Sequence, residues 1–163
     1  MARVNEVGPK RAAAVWLLRC GVKWHNSNRV LKDYISLPVG NYRTLKNQQI
    51  EGTDSAVMEE EFLYLKELEE LRKVKVVNNK YLNDECIFYL VANAKKKLTS
   101  LHLAGNGNKT GEGRLQLGKM EVLEELYLEN LHEVKSPEEI LRQLGTLLPD
   151  CSITWPPFSE SKN

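Results

Sequence analysis

The sequence predicts an α/β fold, a leucine-rich repeat solenoid of about five turns behind a small, mainly helical N-terminal capping domain. Three observations predict it. Leu98-x-x-Leu101-x-Leu103-x-x-Asn106 matches the strand pattern of such repeats, and Leu71-x-x-Val74-x-Val76-x-x-Asn79 matches it 27 residues earlier. The pattern recurs as Leu123-x-x-Leu126-x-Leu128-x-x-Leu131, as Leu148-x-x-Cys151-x-Ile153 and, degenerately, as Leu45-x-x-Gln48-x-Ile50-x-x-Thr53; the successive spacings are 26, 27, 25 and 25 residues. Finally, Val74-Lys75-Val76-Val77 and Leu126-Tyr127-Leu128 alternate with period two, which argues for strands over leucine-rich helices.

The elements follow in order. Gly8-Pro9 opens a helix that carries Ala12, Ala13, Val15, Trp16, Leu17 and Leu18, and Gly21 stops it. Val22-Lys23-Trp24 reads as a strand, Asn26-Ser27-Asn28 as a turn, and Val30–Leu37 as a segment ended by Pro38 and Gly40. Residues 1–44 thus form a cap over the open end of the repeat core at residues 45–155. Within the repeats, each strand points its L-x-L residues inward, and a return segment buries its own apolar face on the same core. Glu59–Leu71 reads as a helix through Phe62, Leu65, Leu68 and Leu71. Asp84–Lys97 reads as another, with Asp84 as N-cap and Ile87, Leu90, Val91 and Ala94 on one face. Gly105–Gly113 is glycine-rich and suits a loop or a short helix. Ser136-Pro137-Glu138-Glu139 starts a helix that buries Ile140, Leu141, Leu144 and Leu147, and residues 156–163 read as a disordered tail.

Composition bounds the function. The chain has 163 residues, 42% hydrophobic and 28% charged, with a net charge of +1, the balance of a soluble globular protein. The longest run free of Asp, Glu, Lys and Arg is Leu98–Asn108, far below the ~20 residues of a membrane span. The near-neutral total conceals an asymmetry. Residues 1–44 hold eight Lys/Arg against two acids, a local charge of +6, and the remainder holds fifteen against twenty, −5. A basic segment of this kind suits an anionic partner. Cys20, Cys86 and Cys151 are an odd number without CxxC spacing, so neither a disulfide framework nor a zinc site is expected; Cys86 and Cys151 fall at core positions. Met1–Asn5 resembles neither a signal nor a transit peptide, and the Asn108-Lys109-Thr110 acceptor stands without other signs of secretion.

No catalytic constellation is legible. His25, His102 and His132 lack metal-ligand spacing. Gly105–Gly111 lacks the glycine directly before Lys-Ser/Thr that a phosphate loop requires, and reads as a turn. Glu59-Glu60-Glu61 suits the start of a helix, and Glu124-Glu125 a solvated strand edge. What remains is the concave face, lined by the residues beside the inward ones. These are Asn47 and Gln49, Lys73 and Lys75, Ser100 and His102, Glu125 and Tyr127, then Asp150 and Ser152. The face grades from polar through basic to acidic, which suits a protein partner and not nucleic acid.

Val7-Gly8-Pro9-Lys10-Arg11-Ala12-Ala13, continuing to Trp16-Leu17-Leu18-Arg19-Cys20-Gly21, resembles the start of the mitochondrial ATP synthase coupling factor B (subunit s) family. Lys32-Asp33-Tyr34, Leu37-Pro38, Gly40 and Ile50-x-x-Thr53-Asp54-Ser55 continue the resemblance in order, and it then covers the repeats to about Trp155. Leu101-x-Leu103-Ala104-Gly105 and Leu148-Pro149-Asp150-Cys151 also resemble a sister group, an assembly factor for the distal membrane arm of respiratory complex I. The resemblance implies a non-enzymatic protein, peripheral to the matrix side of the mitochondrial inner membrane. It further implies association with ATP synthase, where the family supports coupled proton conduction. It also implies a magnesium site at Gly21 and Thr53, although Glu51-Gly52-Thr53-Asp54-Ser55 departs from the family segment in its first acid and in Gly52. Val77 and Asn79 stand where the family has a thiol pair, so that redox property is expected to be absent. Lys10, Arg11, Arg19, Lys73, Lys75, His102 and Tyr127 are the expected partner-binding residues. The alternatives are a complex I membrane-arm assembly factor and a substrate-recognition solenoid of a ubiquitin ligase; residues 1–44 show no adaptor-binding motif for the latter.

Overall fold

A computed structural model describes residues 8–26, 29–32, 47–105, 111–129 and 136–156. The expected turn at residues 27–28, most of Val30–Leu37 with Pro38 and Gly40, the Asn106–Thr110 part of the glycine-rich stretch, His132 and the tail beyond Pro156 lie outside those residues.

Helix α1 (Pro9–Arg19) begins on a proline, which needs no hydrogen-bond partner for its nitrogen at that position. It ends where Gly21 adopts φ +82°, a conformation that costs a residue with a Cβ strain and glycine none. Strands β1 (Val22–Asn26) and β2 (Arg29–Leu31) pair antiparallel, and β1 pairs antiparallel with β3 (Asn47–Thr53). From β3 onward every neighbour is parallel: β4 (Lys73–Val77), β5 (Ser100–Ala104), β6 (Glu125–Glu129) and β7 (Ser152–Thr154). The seven strands lie in the order β2-β1-β3-β4-β5-β6-β7. The N-terminal segment therefore extends the same sheet, and its Ala13, Leu17 and Trp24 belong to the same core as the repeats. Among the described residues no helix is long and apolar enough to cross a membrane.

Four return segments carry helices, and the three expected from the apolar pattern keep most of their buried faces with altered bounds. The first is a short helix, α2 (Glu59–Leu63), continued by a tighter 3-10 turn over Tyr64–Glu67, in place of the continuous helix expected to Leu71. Leu68 breaks it at φ −98°, ψ 73°, yet Phe62, Leu65, Leu68 and Leu71 are all buried, so the burial pattern survives without the helix. Helix α3 (Asp84–Ala94) takes Asn83 and not Asp84 as its N-cap; the Asn83 side chain accepts from the Cys86 N–H at 2.9 Å. Gly111–Leu115 forms α4, and α5 spans Pro137–Leu147 with Ser136 at its N-cap position but no side-chain capping bond. Ile140 and Leu144 are buried as expected, whereas Leu141 is only half-buried and Leu147, at the last residue of the helix, is 52% exposed. Cys86 is buried, whereas Cys151 is only half-buried next to the last strand.

The inward residues of the inner turns are sealed: Val74, Val76, Leu101, Leu103, Leu126 and Leu128 expose 3% or less. Each such side chain contributes roughly 1.5–3 kcal/mol of transfer free energy. Asn79, the consensus asparagine, is fully buried; its Nδ2 donates to the Val57 carbonyl at 2.7 Å and its Oδ1 accepts from the Tyr81 N–H at 2.9 Å. It thereby ties the end of one turn to the one before.

The two outer turns are displaced from the expected register. Ile50 pairs with Val74 and Gly52 with Val76, so the inward slots of β3 belong to Ile50 and Gly52 and not to Gln48 and Ile50. A Cβ at Gly52 would lie 2.6 Å from Ser55 Oγ, so a larger residue there would displace that side chain. At the other end Leu126 pairs with Ile153, so Ile153 and not Cys151 occupies that slot. Two residues of slip preserve which side chains face inward, because strand sides alternate with period two. They change which polar residues stand side by side.

Candidate protein-binding face

The parallel register places the outward side chains in two rows across the sheet. One row runs Glu51, Lys75, His102, Tyr127, Thr154, and the other Gln49, Lys73, Ser100, Glu125, Ser152. Lys73, Lys75, His102 and Tyr127 stand together on this face as the alternation predicts. Asn47 and Asp150 are replaced in the rows by Glu51 and Thr154, a direct consequence of the corrected outer registers.

Glu51 is the residue that sequence reasoning missed. Its Oε1 lies 3.2 Å from Lys75 Nζ, and its Oε2 lies 3.3 Å from His25 Nε2 without hydrogen-bond alignment. Burial alone would raise its carboxyl, but the Lys75 hydrogen bond and the charges of Lys75, Lys23 and His25 overcome that and hold it below 4.5. Farther along the row, the His102 and Tyr127 rings stack with centroids 4.2 Å apart and planes tilted by 36°. Burial, and next the charge of Lys75, lowers the His102 pKa and favours the neutral imidazole. The Tyr127 hydroxyl donates to Glu129 Oε2 at 3.1 Å; burial and that carboxylate raise its pKa. Beside the rings an open recess of about 240 Å³ is lined by Ser100, His102, Glu125, Tyr127, Ser152 and Thr154.

The basic residues expected to meet an anionic partner lie on α1. Lys10 Nζ is 3.5 Å from Glu69 Oε2, so part of its charge is answered by the repeats themselves. Arg11 is half-buried and Arg19 exposed. Gly21 and Thr53, the two residues expected to hold magnesium, each lie one residue beyond the Val22–Gly52 pair of the antiparallel ladder, and the neighbouring Ala56 N–H donates to the Cys20 carbonyl at 3.0 Å. Their donors, a backbone carbonyl and an exposed hydroxyl, are the hard oxygens that magnesium takes. No group of three or more His, Cys, Asp or Glu suited to a metal gathers among the described residues, so such an ion would keep most of its waters. His25 and His102 sit on opposite sides of the Glu51–Lys75 pair. Near α1, burial and then Glu61 push the Cys20 thiol up to about 11, which leaves it a thiol at neutral pH.

Fold and face together define a class: a mixed α/β protein whose largely parallel sheet carries rows of polar side chains on its broad side. Comparison with known proteins narrows it. The human protein named mitochondrial ATP synthase subunit s is 34% identical over 155 residues, 93% of this chain and 78% of its own length. The bovine protein of the same name is 35% identical and the mouse protein 34%, over the same shares. No protein-family model matches the chain. At that identity and coverage, the chain belongs to the mitochondrial ATP synthase subunit s family.

Proposed function

We propose that the chain is a non-enzymatic accessory factor of mitochondrial ATP synthase that works by protein–protein contact, with its strands as turns of a leucine-rich repeat solenoid and its outward rows as the binding face. The observation that carries this is the 34% identity to a protein named as a subunit of that enzyme, sustained over 93% of the chain. The exposed, laterally aligned polar rows support the mode of action. In this reading the protein sits peripherally at the matrix side of the inner membrane and supports coupled proton conduction. Lys10, Arg11 and Arg19 on α1 then meet an anionic protein surface or lipid headgroups. A magnesium ion bound by the Gly21 carbonyl and the Thr53 hydroxyl would brace the end of α1 against the end of β3.

The test is affinity purification of the tagged full chain from mitochondrial membranes. Recovery of ATP synthase subunits is the expected outcome; recovery of complex I membrane-arm intermediates, or of cytosolic ligase components, would overturn the assignment. For the metal, addition of magnesium should shift the Gly21 and Thr53 amide resonances, and T53A should abolish the shifts. Unmoved resonances reject the site.

A further inference from the structure

The two rows on the binding face differ in how their charges are satisfied. Lys75 is paired with Glu51. Lys73 and Glu125, both exposed, form no ion pair among the described residues. They occupy the same lateral row with Ser100 between them, since Ser100 pairs with Lys73 on one side and with Glu125 on the other. Two strand spacings separate their backbones by about 9.6 Å. In the adjacent row, the stacked His102 and Tyr127 rings provide a semi-apolar platform alongside.

A segment lying on the face of a sheet finds no backbone partners there, because the strand N–H and C=O groups bond to neighbouring strands. A helix brings its backbone already satisfied and presents only side chains to such a face. On a helix, residues seven apart lie on one side and are separated by about 10.5 Å, close to the spacing of the two backbone positions that carry Lys73 and Glu125. We propose that Lys73 and Glu125 form a two-charge docking pair for an α-helical segment of the partner protein, which carries an acidic and a basic residue two turns apart and rests its side on the His102–Tyr127 rings. The proposal deepens the accessory-factor reading and rests on it for the partner's identity, but not for the chemistry of the pair.

The experiment has two arms. In the first, the isotope-labelled full chain is titrated with an alanine-based helical peptide that carries one Glu and one Lys seven residues apart. The amides of Ser100, His102 and Tyr127 should shift; K73E or E125K should each weaken binding about fivefold, and the double swap should restore it, because the free helix can lie in the opposite direction. Both residues are exposed, so unchanged circular dichroism confirms that the variants fold. Singles that bind like the wild type, or shifts confined to another face, overturn the docking pair. In the second arm, immobilised detergent-solubilised ATP synthase replaces the peptide, with a loss of about tenfold expected for either single reversal. Wild type and singles binding the enzyme equally well also overturn the pair. A wild type that fails to bind the enzyme while the peptide arm succeeds overturns the partner assignment and supports the pair.

Discussion

The two ends of the sheet face the same physical problem and meet it to different degrees. At the N-terminal end, β1 turns antiparallel, places Trp24 opposite both Ile50 and Leu31, and leaves the indole 1% exposed. Helix α1 lies over that end with Ala13 and Ala14 fully buried and Leu17 nearly so. At the C-terminal end the last strand among the described residues is the three-residue β7, where Ile153 is only half-buried and Cys151 and Trp155 share its position at the margin of the core. A parallel stack exposes the apolar face of its last turn unless something of another geometry covers it. The antiparallel hairpin and helix do so at one end. The gradient teaches that energetic weight sits toward the N-terminal cap and the inner turns, and it is open to attack by substitution.

The largest effect is expected at the sealed end. W24A should cost about 3–5 kcal/mol in urea unfolding at pH 7, the range for removing a buried aromatic from a closed core. The next belongs to the joint between turns: N79A should cost about 2 kcal/mol, since it strands the buried Val57 carbonyl and removes the partner of the half-buried Tyr81 N–H. At the other end, I153A should cost only about 1 kcal/mol, because a half-buried side chain surrenders a part of its transfer free energy. An I153A loss equal to that of W24A would erase the contrast between the ends and imply a covering structure on β7.

The same gradient decides how much was legible in the sequence. In the inner turns, leucine and valine fill every inward slot, so the period alone fixes register, and Lys73, Lys75, His102 and Tyr127 fall on the outward face as expected. In the outer turns the inward slots hold Ile50 with Gly52 at one end and a lone Ile153 at the other, and polar or small residues flank them. There a shift by two residues leaves hydrophobic alternation almost unchanged, and only the hydrogen-bond ladder chooses. That ambiguity hid Glu51, because an alignment led by Gln48 and Ile50 puts Glu51 beyond the paired rows. The glycine that follows it was the available signal, since a strand glycine marks a close approach, here to Ser55. The leucines of Glu59–Leu71 misled in the opposite sense: three-residue spacing fits a helix and a 3-10 turn alike, and burial constrains only which side faces inward.

The smallest effect is the most diagnostic of the face itself. Glu51 joins the cap to the repeats through charge, lying between His25 of β1 and Lys75 of β4. Its folded pKa lies below 4.5, so the stability it contributes is present in full above that value and is lost as pH falls through it toward the lower folded value. In E51Q an amide oxygen remains within reach of Lys75 while the charge is removed. The variant should therefore be less stable than wild type by about 0.5 kcal/mol at pH 7, and the two stability curves should converge as the pH is lowered below 4.5. Salt should narrow the gap at neutral pH by screening the same charges. Parallel curves across the acid range would mean that Glu51 acts by packing alone, and that the cap is held to the repeats by Trp24 and α1 without help from the face.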